Sequence, residues 1–145
     1  MTSRSDVEFT SQGVTCRAWL YRPDVPGAPV IVMAHGLGGV RTMRLDAFAE
    51  RFVEAGYACL VFDYRHFGDS DGEPRQLLSV RRQLADYDAA IEYAKSLDDV
   101  DAARIVVWGS SFSGGHALTL AARQPGLAAA VSQCPFTSGP ASLLA

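Results

Sequence analysis

The chain has 145 residues, 48% of them hydrophobic and 20% charged, with a formal net charge of −3 and a pI near 5.5. That composition supplies apolar material for one core, and its acidic balance excludes a general electrostatic attraction to nucleic acid or to an anionic membrane surface. The opening MTSRSDVEFT has no apolar run behind its basic residue, and no stretch approaches the roughly 20 apolar residues of a spanning helix, so a cytoplasmic protein without membrane contact is expected.

In chain order, VEFTSQGVTCRAWLYRP sets two runs rich in Val, Thr, Phe, Trp and Tyr around a Ser-Gln-Gly turn, which predicts a β-hairpin. Pro23, Pro26, Gly27 and Pro29 break the chain before PVIVMAHG, an apolar run that predicts a strand buried on both faces. Leu45, Phe48, Phe52 and Ala55 recur at helical spacing ahead of the stop signal Gly56, so residues 44–55 read as a helix with one buried face. YACLVFDY is the next buried strand, and RHFGDSDGEP is a polar loop. Val80, Leu84, Tyr87, Ile91 and Ala94 mark a second helix, with Arg81, Arg82, Asp86, Asp88, Glu92 and Lys95 on its other faces. RIVVWG predicts a strand, residues 112–123 a helix closed by Pro125 and Gly126, and LAAAVSQCP a further strand. Strands alternating with helices imply an α/β fold, a mostly parallel sheet with helices on both faces and right-handed crossovers. Function in such sheets gathers in the loops at the carboxyl ends of the strands.

One of those loops is GSSFSGG, which leaves a strand and enters a helix, the context of a nucleophile elbow. Gly109-Ser110-Ser111-Phe112-Ser113 fits with Ser111 as the nucleophile and small residues two positions to either side; Gly114 continues the crowded packing. Ser113 stands where a glycine is usual, and it is the rival candidate for nucleophile. A P-loop fails because Gly115 and His116 occupy the positions of its Lys and Ser/Thr, and GLGGVR lacks the third glycine of a dinucleotide fingerprint. No cofactor and no metal are expected. HGLGG has a better use. Acyl transfer builds negative charge on a carbonyl oxygen, and two backbone N–H groups stabilise it, here those of Leu37 and Phe112. Gly36, Gly38 and Gly39 would let the loop bend the Leu37 N–H inward.

Through HGLGG, DYRHFGDSDG and WGSSFSGGH, in that order and each at the carboxyl end of a predicted strand, the chain resembles the α/β-hydrolase superfamily. Within it the chain looks closest to the serine-aminopeptidase-like, acyl-peptidase-like and dienelactone-hydrolase-like enzymes. The resemblance implies a serine hydrolase acting on ester, thioester or peptide-like acyl bonds through an acyl-enzyme. It further implies that His35 orients the oxyanion loop and that Asp63 is structural. His66 reads as a loop-stabilising or exposed residue, His116 as a packing or capping residue, and Asp69, Asp71 and Glu73 as a solvated acidic turn. Trp19, Trp108, Cys16, Cys59 and Cys134 read as core residues.

Serine needs a histidine to take its proton and a carboxylate to orient that histidine, which this fold supplies in the order Ser, Asp or Glu, His. Beyond Ser111 the sequence holds no aspartate or glutamate, and its one histidine, His116, is too near in sequence to fold back over the serine. The chain therefore reads as the N-terminal part of a single hydrolase domain, truncated after about the sixth strand, with the cap and the C-terminal strands absent. Little turnover is expected of it in isolation. A small acyl substrate is expected once the domain is completed, and the exposed last strand could recruit a C-terminal half or a second copy. The alternative is a non-catalytic remnant or binding module of the same fold.

Overall fold

The computed structural model describes residues 3–144. The first two strands, β1 (Ser3–Ser11) and β2 (Val14–Arg22), form the expected hairpin. Gln12 and Gly13 link them, both at positive φ (50° and 82°), the backbone sense that matches the twist of paired strands. Next come β3 (Ala28–Ala34), α1 (Leu45–Glu54), β4 (Ala58–Phe62), α2 (Val80–Lys95), β5 (Val100–Ser110), α3 (Phe112–Arg123), β6 (Ala129–Gln133) and the short α4 (Gly139–Leu143). The sheet runs β1-β2-β4-β3-β5-β6; the hairpin joins β4 antiparallel, and β4, β3, β5 and β6 are mutually parallel.

Residue parity sorts the central strands into two core layers, since successive side chains point to opposite faces. Val30, Val32, Leu60, Phe62, Ile105 and Val107 meet Tyr87 and Ile91 of α2 and Leu120 of α3. Ile31, Met33, Cys59, Val61 and Trp108 meet Leu45, Ala49 and Val53 of α1. Burying each large aliphatic side chain contributes about 1.5–3 kcal/mol, and with both faces covered the strands read as unbroken apolar runs. Tyr87 adds a polar anchor, its hydroxyl donating to the carbonyls of Val32 and Trp108.

Both long helices sit rotated from their sequence reading. The α1 face is Leu45, Ala49 and Val53; Phe48 is at its margin, 5.1 Å from the Trp108 ring, and Ala55 is exposed. In α2, Val80 is exposed, while Gln83 and Asp86, polar residues that a hydrophobic pattern sends outward, are buried. Their partners explain this. Asp86 neutralises Arg65 from the loop after β4, and Gln83 accepts from His116 of α3. Among the described residues β6 is the last strand at the other end of the sheet, with Val131 exposed. No helix among the described residues is long and apolar enough to cross a membrane.

Candidate active site

Ser111 occupies the single residue between β5 and α3, at φ 55° and ψ −112°. A non-glycine residue in such a region costs of order 1–3 kcal/mol and persists only where its surroundings hold it. The surroundings do so here. The Ser111 N–H donates to the Gln133 carbonyl at 2.9 Å, and its own carbonyl accepts from Phe136 N–H at 2.8 Å and Gly115 N–H at 3.3 Å. The turn is thus fastened to the chain leaving β6, and the Ser111 side chain stays exposed.

The flanking glycines mark where backbones meet. A Cβ on Gly109 would lie 1.9 Å from the Ser113 carbonyl oxygen, one on Gly115 2.2 Å from that of Phe136, and one on Gly114 3.0 Å from Pro135 Cα. Gly109→Ala is expected to cost about 1–3 kcal/mol or more in urea unfolding, because backbone, unlike a side-chain tip, cannot swing away.

The loop after β3 lies against the serine: a Cβ on Gly36 would be 3.0 Å from Ser111 Cβ and 3.5 Å from its Oγ. Gly39 N–H donates to the Gly36 carbonyl at 3.1 Å, closing a turn in which Leu37 is 64% exposed and Gly38 has the positive φ (66°) that such a position requires. The His35 ring lies under this turn, where a Cβ on Gly39 would come within 2.1 Å of Nδ1. Its Nε2–H donates to the Met43 carbonyl at 3.0 Å, and Nδ1 accepts the Gly36 N–H at 2.8 Å. Because a carbonyl can only accept, the network assigns a neutral ring protonated at Nε2. On the helix side, Phe112 opens α3, and first-turn amides have no intrahelical acceptor.

Ser113, the rival nucleophile, is 0% exposed, its hydroxyl engaged by Tyr64 and by the His35 carbonyl. His116 is buried beside Phe112 and Tyr64 and donates from Nε2 to Gln83 Oε1 at 2.9 Å. Burial, helped by the charge of Arg123, lowers its pKa to about 4. The unfolded chain therefore takes up a proton near pH 6.5 that the folded chain refuses until about pH 4, and stability is lost as pH falls through that window. Urea unfolding at pH 7 and pH 5 is expected to show a loss roughly 1–2 kcal/mol larger for the parent than for His116→Gln. An apolar hollow of about 270 Å³ adjoins this helix, lined by Val80, Phe112, His116, Leu118 and Phe136.

Sequence reasoning missed the ion pairs that brace these loops. Arg41, on the Gly36–Met43 loop, pairs with Asp63 at the end of β4 and with Asp69 at 2.7 Å, and its backbone N–H donates to Asp63 Oδ1 at 2.7 Å. Burial pushes the Asp63 carboxyl above the usual range, opposed by the Arg41 N–H and guanidinium. The Arg41 guanidinium also covers the Trp19 ring, with Arg4 beside it, so Trp19 is a half-buried stacking platform and not a core residue. The signal was Asp63 itself, an acidic residue closing a buried strand. His66 is buried, its Nε2 accepting from Arg82 at 3.2 Å. Asp69 belongs to the Arg41 cluster although largely solvated. Trp108, Cys16 and Cys59 are core residues, and burial pushes both thiols up to about 12. Cys134 is exposed, since it turns the chain away from β6 at φ 44°.

A mostly parallel sheet with a strained serine at the tip of β5, flanked by a glycine loop from β3, matches the α/β-hydrolase class. The model of the family described as X-Pro dipeptidyl-peptidase (S15 family) matches residues 12–143, and the chain belongs to that family of α/β-hydrolases. It is 63% identical over 141 residues to the quorum-quenching protein AidA of Acinetobacter baumannii (strain MDR-ZJ06), covering 97% of this chain and 46% of that protein. It is 36% identical over 138 residues to a thiohydrolase of Eupenicillium brefeldianum, covering 94% of this chain and 44% of the relative. The crystal structure of the α/β-hydrolase GrgF from Penicillium sp. sh18 superposes with a TM-score of 0.89 at 36% identity, over 96% of this chain and 49% of that one. The chain thus spans about half the length of the curated relatives it matches.

Proposed function

We propose that this chain carries the nucleophile and oxyanion half of a serine-dependent acyl-transfer site. Ser111 Oγ would attack the acyl carbon of an ester, thioester or peptide-like bond. Its proton would pass to a base and on to the leaving group, and water would release the acyl group from Ser111. The N–H groups of Leu37 and Phe112 would hold the oxyanion, and His35, Gly36, Gly38, Gly39, Gly109 and Gly114 would shape the turns that present them. The observation that carries this reading is the strained Ser111 turn packed against Gly36. The thiohydrolase relative favours a thioester or ester over an amide, the quorum-quenching relative favours a signalling molecule, and the apolar hollow beside Phe112 favours an apolar substituent.

The base and its carboxylate are assigned to the part of the relatives that this chain does not span, since no acidic residue follows Ser111 and His116 is committed to Gln83. Turnover by the 145-residue chain alone would be slight. The second reading is a binding module that keeps the shape of the site without its chemistry. A fluorophosphonate probe separates the two on protein expressed from its own gene with any residues beyond 145 retained. Adduct at Ser111, located by peptide mass spectrometry, supports the hydrolase; adduct at another serine, or none, overturns it.

A further inference from the structure

Three loops meet at the Ser113 hydroxyl. It lies one helical position beyond Phe112, it contacts the His35 carbonyl, and it is 2.6 Å from the hydroxyl of Tyr64, the second residue after β4. The direction of these bonds follows from their inventory. A carbonyl only accepts, so the one Ser113 proton goes to His35 O, and Tyr64 must donate to Ser113 Oγ. Complete burial holds the Tyr64 phenol well above its ordinary pKa, so it remains a donor at every pH at which the protein works.

The consequence lies in the His35–Gly36 peptide, which is gripped at both ends. Ser113 takes its carbonyl, and the His35 ring takes its N–H at 2.8 Å. The next peptide, whose N–H belongs to Leu37, hangs from this one through φ and ψ of Gly36 alone, and its own carbonyl, that of Gly36, accepts from the Gly39 N–H at 3.1 Å, so fixing the first peptide fixes the base of that turn. We propose that Ser113, driven by Tyr64, is a positioning residue that sets the Leu37 N–H against the Phe112 N–H, through a hydroxyl that the usual glycine at its position would lack. This rests on the acyl-transfer reading above. It assigns Ser113 a role beyond being small, and it explains why a polar side chain is tolerated in a fully buried place: its hydrogen bonds are all internal.

Hydrogen–deuterium exchange of the ¹⁵N-labelled chain tests the tie without any turnover. Ser113→Ala and Tyr64→Phe are each expected to speed exchange of the Gly36 amide at least ~10-fold, with the β1 and α2 amides unchanged as evidence that the fold is intact. In protein from its own gene, Ser113→Ala is expected to slow the maximal rate of fluorophosphonate modification of Ser111 by ~10- to 100-fold while the half-saturating probe concentration stays constant. Unchanged Gly36 exchange in both variants overturns the tie. Faster exchange with an unchanged modification rate overturns the positioning role and leaves a structural one. Failure of the parent to be modified at Ser111 overturns the acyl-transfer reading, and the positioning role with it, whereas the exchange result stands apart from that outcome.

Discussion

Ser111→Ala is expected to abolish fluorophosphonate adduct formation and to lower any esterase or thioesterase turnover by a factor on the order of 10⁴ or more, with no loss of stability. The two halves of that expectation have separate causes. Activity falls because the Ser111 hydroxyl is the one packed against Gly36, whereas Ser113 is buried and bonded to Tyr64 and His35. Stability holds because the Ser111 backbone, and not its side chain, makes the hydrogen bonds to residues 115, 133 and 136. Ser111→Gly sharpens the point. At φ 55° and ψ −112° a glycine escapes the strain that serine bears, so this variant is expected to unfold at higher urea, by about 1 kcal/mol, while losing activity equally. A Ser111→Gly protein no more stable than the parent would mean that the turn is not strained.

The largest effect on stability is expected at Asp86→Ala, a loss of about 3–5 kcal/mol and a fall in melting temperature on the order of 10 °C. Asp86 is fully buried and accepts from the Arg65 backbone N–H at 3.0 Å and from Nε at 2.7 Å, with Nη2 at 2.6 Å. Arg65 in turn donates to Ser11 Oγ at 2.7 Å and Gln12 Oε1 at 3.3 Å, so one guanidinium joins the β4 loop, α2 and the first hairpin. Removing the carboxylate leaves a buried, unpaired cation, which costs more than the pair itself contributes. The double variant Arg65→Met with Asp86→Leu is therefore expected to recover much of the loss. A single-variant loss below about 1 kcal/mol in thermal unfolding would show that water reaches Arg65 readily.

The unbroken apolar runs at residues 30–34 and 58–62, the helical spacing around Tyr87 and Ile91, and the strand–turn–helix context of Gly109 to Ser113 were enough to specify a mostly parallel sheet and to single out Ser111. These signals are local. Period, turn chemistry and the small residues of a crowded turn depend on near neighbours, and they survive in one dimension. What the sequence could not settle was which polar side chains would meet. Asp86 reads as solvated on any helical wheel, because its burial depends on Arg65, 21 residues away, arriving at the same point. Ser113 reads as a glycine substitute until Tyr64 and His35 close around it, and nothing in the sequence singles out Arg41, which Asp63 and Trp19 enclose. Hydrophobic burial follows from composition and periodicity, whereas a buried polar group is stable only with a partner at hydrogen-bond distance. Sequence alone therefore determined the layers and named Ser111 as the candidate; tertiary structure decided the orientation of the loops around it, since these are set by bonds between residues far apart in the chain.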